Sequence, residues 1–268
     1  MIKTALLALL ALLALFATPA VAQSQADVLD AALLPGWQTA EGHQMAALHL
    51  TLAPHWKTYW RAPGEAGIPP RFDWAGSKNL ARVTLHWPSP EVIMVNGMQS
   101  IVYLDQLVLP LEITPIDPGQ PVDLRLQMEL GICKDICMPA TLTLQTTLAG
   151  PGVKSALITT ALAAGPVSAQ QAGLNGLACD VSPIDDGLRI EARIGLPRQG
   201  DPETVVFETG DKTVWVAAAT SDRDSGTLRA ATDLVAPGGQ PFALDRSTVT
   251  VTVIGQGHSV EIQGCPAP

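Results

Sequence analysis

Val122-Asp123-Leu124-Arg125-Leu126-Gln127-Met128-Glu129-Leu130 makes every second side chain apolar and every intervening one charged or amide-bearing. A helix would scatter those apolar groups around its circumference. A strand has a side-chain period of two, so this stretch belongs to a sheet with one buried and one wet face. The same period recurs outward from it. Leu48, Leu50 and Leu52 oppose His49 and Thr51, Val83, Leu85 and Trp87 oppose Arg82, Thr84 and His86, and alternation resumes at Thr141–Leu144. Residues 131–140 therefore read as the connection between two strands. Further on, Leu188, Ile190, Ala192, Ile194 and Leu196 alternate with Arg189, Glu191 and Arg193, and Thr204–Phe207, Thr213–Ala217 and Val249–Ile254 read as strands. Gly and Pro punctuate them at sandwich-like intervals. Between the halves, residues 153–164 suit a short helix stopped by Gly165-Pro166, and residues 165–176 suit a linker. The expected fold is all-β, with two β-sandwich domains joined by a short helix and linker.

The chain has 268 residues with 16 Lys+Arg against 25 Asp+Glu, a net charge of −9, which disfavours nucleic acid and anionic membranes as partners. Hydrophobic residues at 47%, with 22 Pro and 23 Gly, exclude a disordered acidic tail and a coiled coil. Residues 1–22 read as a signal peptide: Lys3 precedes an apolar run from Ala5 to Ala17, and Ala20-Val21-Ala22 forms a cleavage site. That run is too short to span a bilayer, and no other apolar stretch follows, so no membrane insertion is expected after cleavage. The expected layout is a signal peptide over 1–22, an N-terminal extension over 23–34, a first sandwich over 35–150, the helix and linker over 151–175, and a second sandwich over 176–268.

A leader of that kind places the four cysteines, Cys133, Cys137, Cys179 and Cys265, in an oxidising space. Four cysteines permit three pairings, and spacing favours Cys133 with Cys137. In a straight strand those two would lie about 13 Å apart, beyond the limit of roughly 7 Å for bridged Cα atoms, so the chain turns between Gly131 and Pro139. So small a ring removes little entropy from the unfolded chain, which makes it a weak staple and a candidate exchange site. Lys134 would favour a thiolate there and Asp135 would oppose it. A structural bridge inside a turn is the alternative. Cys179 and Cys265 bracket the second run of strands, and a bridge between them is assigned a structural role. A zinc site is disfavoured because only one close cysteine pair exists.

Three segments together resemble the N-terminal periplasmic domain of the DsbD/ScsB protein-disulfide reductases. They are His55-Trp56-Lys57-Thr58-Tyr59-Trp60-Arg61-Ala62-Pro63-Gly64 leading to Gly67-Ile68-Pro69-Pro70, Trp87-Pro88-Ser89-Pro90 followed by Gly97 and Tyr103, and Cys133-Lys134-Asp135-Ile136-Cys137-Met138-Pro139. The match spans about residues 35–148. Pro54-His55 stands where Pro-Gly is usual, and three residues separate the cysteines, as in the ScsB-like branch. The resemblance implies an immunoglobulin-like sandwich that takes reducing equivalents from a membrane electron-donating reductase domain and hands them to periplasmic thioredoxin-like proteins. It implies that Cys137 forms the mixed disulfide and Cys133 resolves it. It also implies a cap loop at Glu91–Gly97, where Val92, Ile93, Met94 and Val95 replace a familiar aromatic residue. The family's membrane and thioredoxin-like domains have no counterpart in these residues, so the chain resembles a free-standing first module.

Trp37, Trp56, Tyr59, Trp60, Trp74 and Trp87 could form a sugar-binding row, but core packing is the preferred reading. The Pro63–Pro70 stretch reads as a rigid loop. His43, Met45, His49, Met94, Met98 and Met138 are soft ligands which, with Cys133 and Cys137, could hold Cu(I). Copper handling is the alternative function, and ScsB-like relatives are linked to copper tolerance. No nucleophile elbow, H-E-x-x-H or phosphate loop is present. The expectation is a periplasmic, reductase-like thiol-disulfide exchange module needing no cofactor and no metal.

Overall fold

Ten strands come first in the computed structural model, which describes residues 24–268. They are β1 (Leu29–Gln38), β2 (Gln44–Leu52), β3 (Lys57–Gly64), β4 (Arg71–Asp73), β5 (Leu80–Leu85), β6 (Glu91–Val95), β7 (Met98–Leu104), β8 (Gln106–Pro115), β9 (Val122–Cys133) and β10 (Cys137–Leu148). The expected signal peptide lies outside the described residues. One sheet runs β1-β2-β8-β5, and the other runs β10-β9-β3-β7-β6 with β4 also paired to β9. The alternation at residues 122–130 does what its period requires: Val122, Leu124, Leu126, Met128 and Leu130 are buried in one core with Leu48, Leu50, Leu109 and Trp60 from across the sandwich.

After the short helix α1 (Ala156–Ala163) come β11 (Val167–Ser168), β12 (Gly176–Ile184), β13 (Gly187–Gly195), β14 (Thr204–Glu208), β15 (Trp215–Val216), β16 (Thr220–Asp224), β17 (Thr227–Val235), β18 (Thr250–Ile254) and β19 (Ser259–Gln263). Their sheets run β11-β19-β18-β14 and β12-β13-β17-β15, with β16 on the same edge of β17. They enclose a second core of Ile190, Ile194, Phe207, Val251, Val253 and Ile262. The Cys179–Cys265 disulfide joins β12 to the chain just past β19, with Cα atoms 5.5 Å apart. The fold is all-β.

Four expectations about elements need correction. The stretch expected as an N-terminal extension carries the start of β1, because Leu29 and Leu33 are buried four residues apart and Leu29–Leu34 pair along β2. The connection expected over 131–140 shrinks to Lys134-Asp135-Ile136, since β9 and β10 stay in register from Cys133↔Cys137 through Gly131↔Pro139. Pro139 is tolerated because β10 is a sheet edge. The linker over 165–176 contributes β11, paired parallel to β19. The strand expected at Thr213–Ala217 is only Trp215–Val216.

The helix is capped by Ser155 and does not float between the halves. Ile158 and Ala161 pack on Ala47 and Val108 of the first sandwich, a burial worth about 2 to 3 kcal/mol for the isoleucine. The two sandwiches also meet directly. Arg61 of β3 binds Glu208 of β14 and Glu261 of β19, with nearest contacts of 2.8 and 2.6 Å, and Ser89 Oγ lies 2.9 Å from Ser259 Oγ. Val206 and Ile254 pack against the first core.

Candidate functional site

Cys133 ends β9 and Cys137 begins β10, so the two are the terminal cross-strand pair of a hairpin, joined as a disulfide with Cα atoms 4.1 Å apart. Antiparallel pairing brings residues four apart in sequence to the separation a disulfide needs. The pair is asymmetric: Cys133 is 1% exposed, while Cys137 is exposed at the start of the edge strand. Between them, Lys134, Asp135 and Ile136 are exposed, Ile136 at 75%, and a small cavity of about 280 Å³ lies against Trp56 and Met138.

β3 supplies the groups beside the sulfurs. Lys57 pairs with Cys133 across the β3–β9 ladder, so Lys57 and Tyr59 share the face that carries the disulfide while Thr58 and Trp60 point to the core. The Tyr59 hydroxyl lies 2.9 Å from Cys133 Sγ and 3.3 Å from Cys137 Sγ. Disulfide sulfurs carry no proton, so the phenol is the donor. Burial holds the Tyr59 phenol above its ordinary pKa, and it keeps its proton at neutral pH. Lys57 is 8% exposed, and its ammonium donates to the Lys134 carbonyl at 3.1 Å. Thr58 Oγ1 donates to the Gly131 carbonyl at 3.0 Å and fixes the end of β9.

The Pro63–Pro70 segment lies over this face. A Cβ on Gly67 would clash with Pro63 Cβ and come within 2.8 Å of Tyr59 Cδ1, and one on Gly131 would come within 2.8 Å of Ile68 Cβ and 3.0 Å of Tyr59 Cε2. Both glycines are needed so that the segment can seat on the tyrosine ring. The expected cap residues 91–97 form β6 and a tight turn into β7, in which Asn96 and Gly97 both have positive φ, as a two-residue hairpin requires. Ile93 reaches the cluster of Tyr59, Val102 and Cys133, Val92 turns into the main core, Val95 is half-buried and Met94 is 64% exposed. Of the four cap residues, Ile93 is the one packed at the thiol site.

Trp56, Trp60 and Trp87 are core residues, as expected. Tyr59 was read the same way, yet its hydroxyl serves the sulfurs. The signal was available: Tyr59 and Trp60 are neighbours in a strand, so only one of them can face the core. Of the soft-ligand set, His43 is bound by Glu112, His49 by Gln106, and Met45 is buried, all on the four-stranded sheet or beside it. Met94 and Met98 sit at the β6–β7 turn, and Met138 packs against the first core. Among the described residues no group of three or more His, Cys, Asp or Glu is placed to hold a metal ion, and no helix is long and apolar enough to cross a membrane.

An exposed sulfur bridged to a buried one, under a protonated phenol, is an arrangement suited to thiol-disulfide exchange. The comparisons with known proteins agree with that chemistry. No curated protein sequence matches the chain. The fold resembles the crystal structure of the N-terminal periplasmic domain of ScsB from Proteus mirabilis, with a TM-score of 0.68 at 20% identity, over 92% of this chain and 96% of that one. Residues 30–149 match the family model described as thiol:disulfide interchange protein DsbD, N-terminal. The segment that holds Cys133, Cys137 and Tyr59 is therefore DsbD-like, the part of the chain that matches that N-terminal domain.

Proposed function

We propose that Cys133 and Cys137 are the redox centre of a periplasmic module that takes reducing equivalents from a membrane reductase domain and passes them to thioredoxin-like proteins. The observation that carries this reading is the asymmetry of the pair beneath one hydroxyl: Cys137 exposed, Cys133 buried, both sulfurs within 3.3 Å of Tyr59 Oη. The leader read at residues 1–22 supports delivery to the periplasm.

In the oxidised chain a donor thiolate attacks Cys137 Sγ in line with the Cys133–Cys137 bond. That bond breaks, Cys133 leaves as a thiolate beside the Tyr59 hydroxyl, and donor and chain are joined through Cys137. The donor's second thiolate then attacks its own sulfur in the mixed disulfide. Cys137 leaves as a thiolate, the donor is oxidised to a disulfide, and the chain holds two electrons as a dithiol after uptake of two protons. Delivery reverses the sequence. The Cys137 thiolate attacks the acceptor's disulfide, Cys133 displaces the acceptor from the mixed disulfide, and the acceptor leaves as a dithiol.

Two measurements test this. Equilibration in graded thiol redox buffers, read by alkylation and mass spectrometry, should place the Cys133–Cys137 potential between about −120 and −270 mV, the span of known exchange proteins. A value below about −300 mV marks a structural staple and defeats the reading. Cys133→Ser should trap a mixed disulfide with a thioredoxin-like partner through Cys137, and Cys137→Ser should trap none. Trapping by Cys137→Ser reverses the assignment of roles.

A further inference from the structure

Lys57 is buried, at 8% exposure, and among the described residues no carboxylate lies within ion-pair distance of it. Other charges with little exposure are matched: Arg61 by Glu208 and Glu261, and Glu203 by Arg223. Taking an ammonium out of water without a counter-charge is costly, so its place needs a reason beyond packing. β3 and β9 pair over two residues, Lys57↔Cys133 and Thr58↔Ile132, which sets the lysine directly across from the buried cysteine. From there its ammonium donates to the carbonyl of Lys134, the residue after Cys133, at 3.1 Å. The loop Lys134-Asp135-Ile136 has one internal hydrogen bond, from Lys134 N to the Ile136 carbonyl at 3.3 Å. Among the described residues, the bond from Lys57 is the one hydrogen bond that ties those three residues to another element.

We propose that Lys57 is a positioning residue for the exchange reaction: by holding the Lys134 carbonyl it keeps the loop bent while the disulfide is open, so that Cys137 stays within reach of Cys133. The inference rests on the exchange reading given above and adds to it the group that governs how readily the dithiol closes. In the disulfide the covalent bond already fixes the loop, and the hydrogen bond forms at little further cost in order. In the dithiol the same hydrogen bond is what opposes the freedom of the loop. It therefore raises the effective concentration of one thiol at the other and favours the disulfide. The step it serves is closure, in which the Cys133 thiolate attacks Cys137 Sγ of a mixed disulfide and the partner leaves as a thiolate.

The test compares the mature chain with Lys57→Met, which nearly keeps the length of the side chain and removes the donor. Both proteins are equilibrated in graded thiol redox buffers, and the oxidised fraction is read by alkylation and mass spectrometry. The expected result is a fall of about fivefold in the equilibrium constant for disulfide formation, the size of one net hydrogen bond. At about 30 mV for each tenfold, the potential becomes less negative by about 20 mV.

An unchanged potential overturns the proposal. So does a more negative one, because Lys57 would then act as a cation that stabilises a thiolate and not as a hold on the loop. A second measurement needs no variant and decides the case even where Lys57→Met does not fold. In nuclear magnetic resonance spectra of the wild type, the Lys57 ammonium protons, which exposed lysines lose to rapid exchange, should be observed in both the disulfide and the dithiol. Their loss on reduction overturns the proposal, since the hold would be absent in the state that needs it. A wild-type potential below about −300 mV defeats the exchange reading instead.

Discussion

Tyr59 is the residue whose role differs most from what its position in the sequence implies. It stands among five tryptophans that pack or flank the core, and it is almost wholly buried, yet its hydroxyl bridges both sulfurs. A hydrogen bond to a thiolate is charge-assisted and roughly twice as strong as one to a neutral sulfur, so the phenol stabilises the reduced pair more than the disulfide. Tyr59→Phe should therefore move the Cys133–Cys137 potential to more negative values by about 20 to 30 mV, since 30 mV corresponds to about 1.4 kcal/mol for two electrons. It should also shift the pH profile of thiol alkylation upward. Redox-buffer titration of both proteins checks this, and an unmoved potential would leave Tyr59 a packing residue. The cysteines themselves were legible from spacing alone. For Lys57 and Tyr59 the strand period offers the signal that one of the neighbours Tyr59 and Trp60 must face away from the core, but not that Gly67 and Gly131 let the Pro63–Pro70 segment close over that outer face.

At the scale of elements, strands with strict alternation were readable and those built from mixed residues were not. β9 and β13 announce themselves, whereas β17 buries Leu228, Ala230, Thr232 and Leu234, and two small or polar members hide the period. The β6–β7 hairpin carried a local signal in Asn96-Gly97, the pair that favours a tight two-residue turn, although the resemblance pointed to a loop there. Side chains also tie elements together. Glu112 of β8 holds His43, just before β2, and His86, just after β5, so one carboxylate spans three neighbouring strands. The hydrogen bond from His43, followed by that from His86, holds the Glu112 pKa below the usual 4.5 against the opposing effect of burial. A carboxylate with a depressed folded pKa stabilises above its unfolded value, and that contribution disappears as pH falls through the folded one. Glu112→Gln should thus cost about 1 kcal/mol at pH 7, allowing for its partial exposure, and nothing once both forms are neutral in acid. Denaturant melts at pH 7 and below pH 3 measure this, and an equal cost at both would show that the carboxylate charge is irrelevant.

The whole molecule is two cores that share a narrow boundary. The first is filled by side chains of both sheets that sandwich β9 against β2 and β8, and the second by residues from β13, β14, β17, β18 and β19, with Cys179 and Cys265 buried among them. The short helix near residues 153–164 was readable from its pattern, while the contacts between the two cores, from Arg61 to Glu208 and Glu261, lie 147 and 200 residues apart and leave no mark in local pattern. The two disulfides differ in the length of chain that each closes. The Cys133–Cys137 ring closes 4 positions and the Cys179–Cys265 ring closes 86, so by loop-closure entropy the first constrains the unfolded chain by about 2 kcal/mol and the second by about 4.5 kcal/mol. The double variant Cys179→Ser, Cys265→Ser should destabilise the second sandwich by about that amount while leaving the Cys133–Cys137 potential where it was. Calorimetry reads the first quantity and redox-buffer titration the second. A shifted potential, or equal destabilisation of both halves, would mean that the second core sets the chemistry of the first.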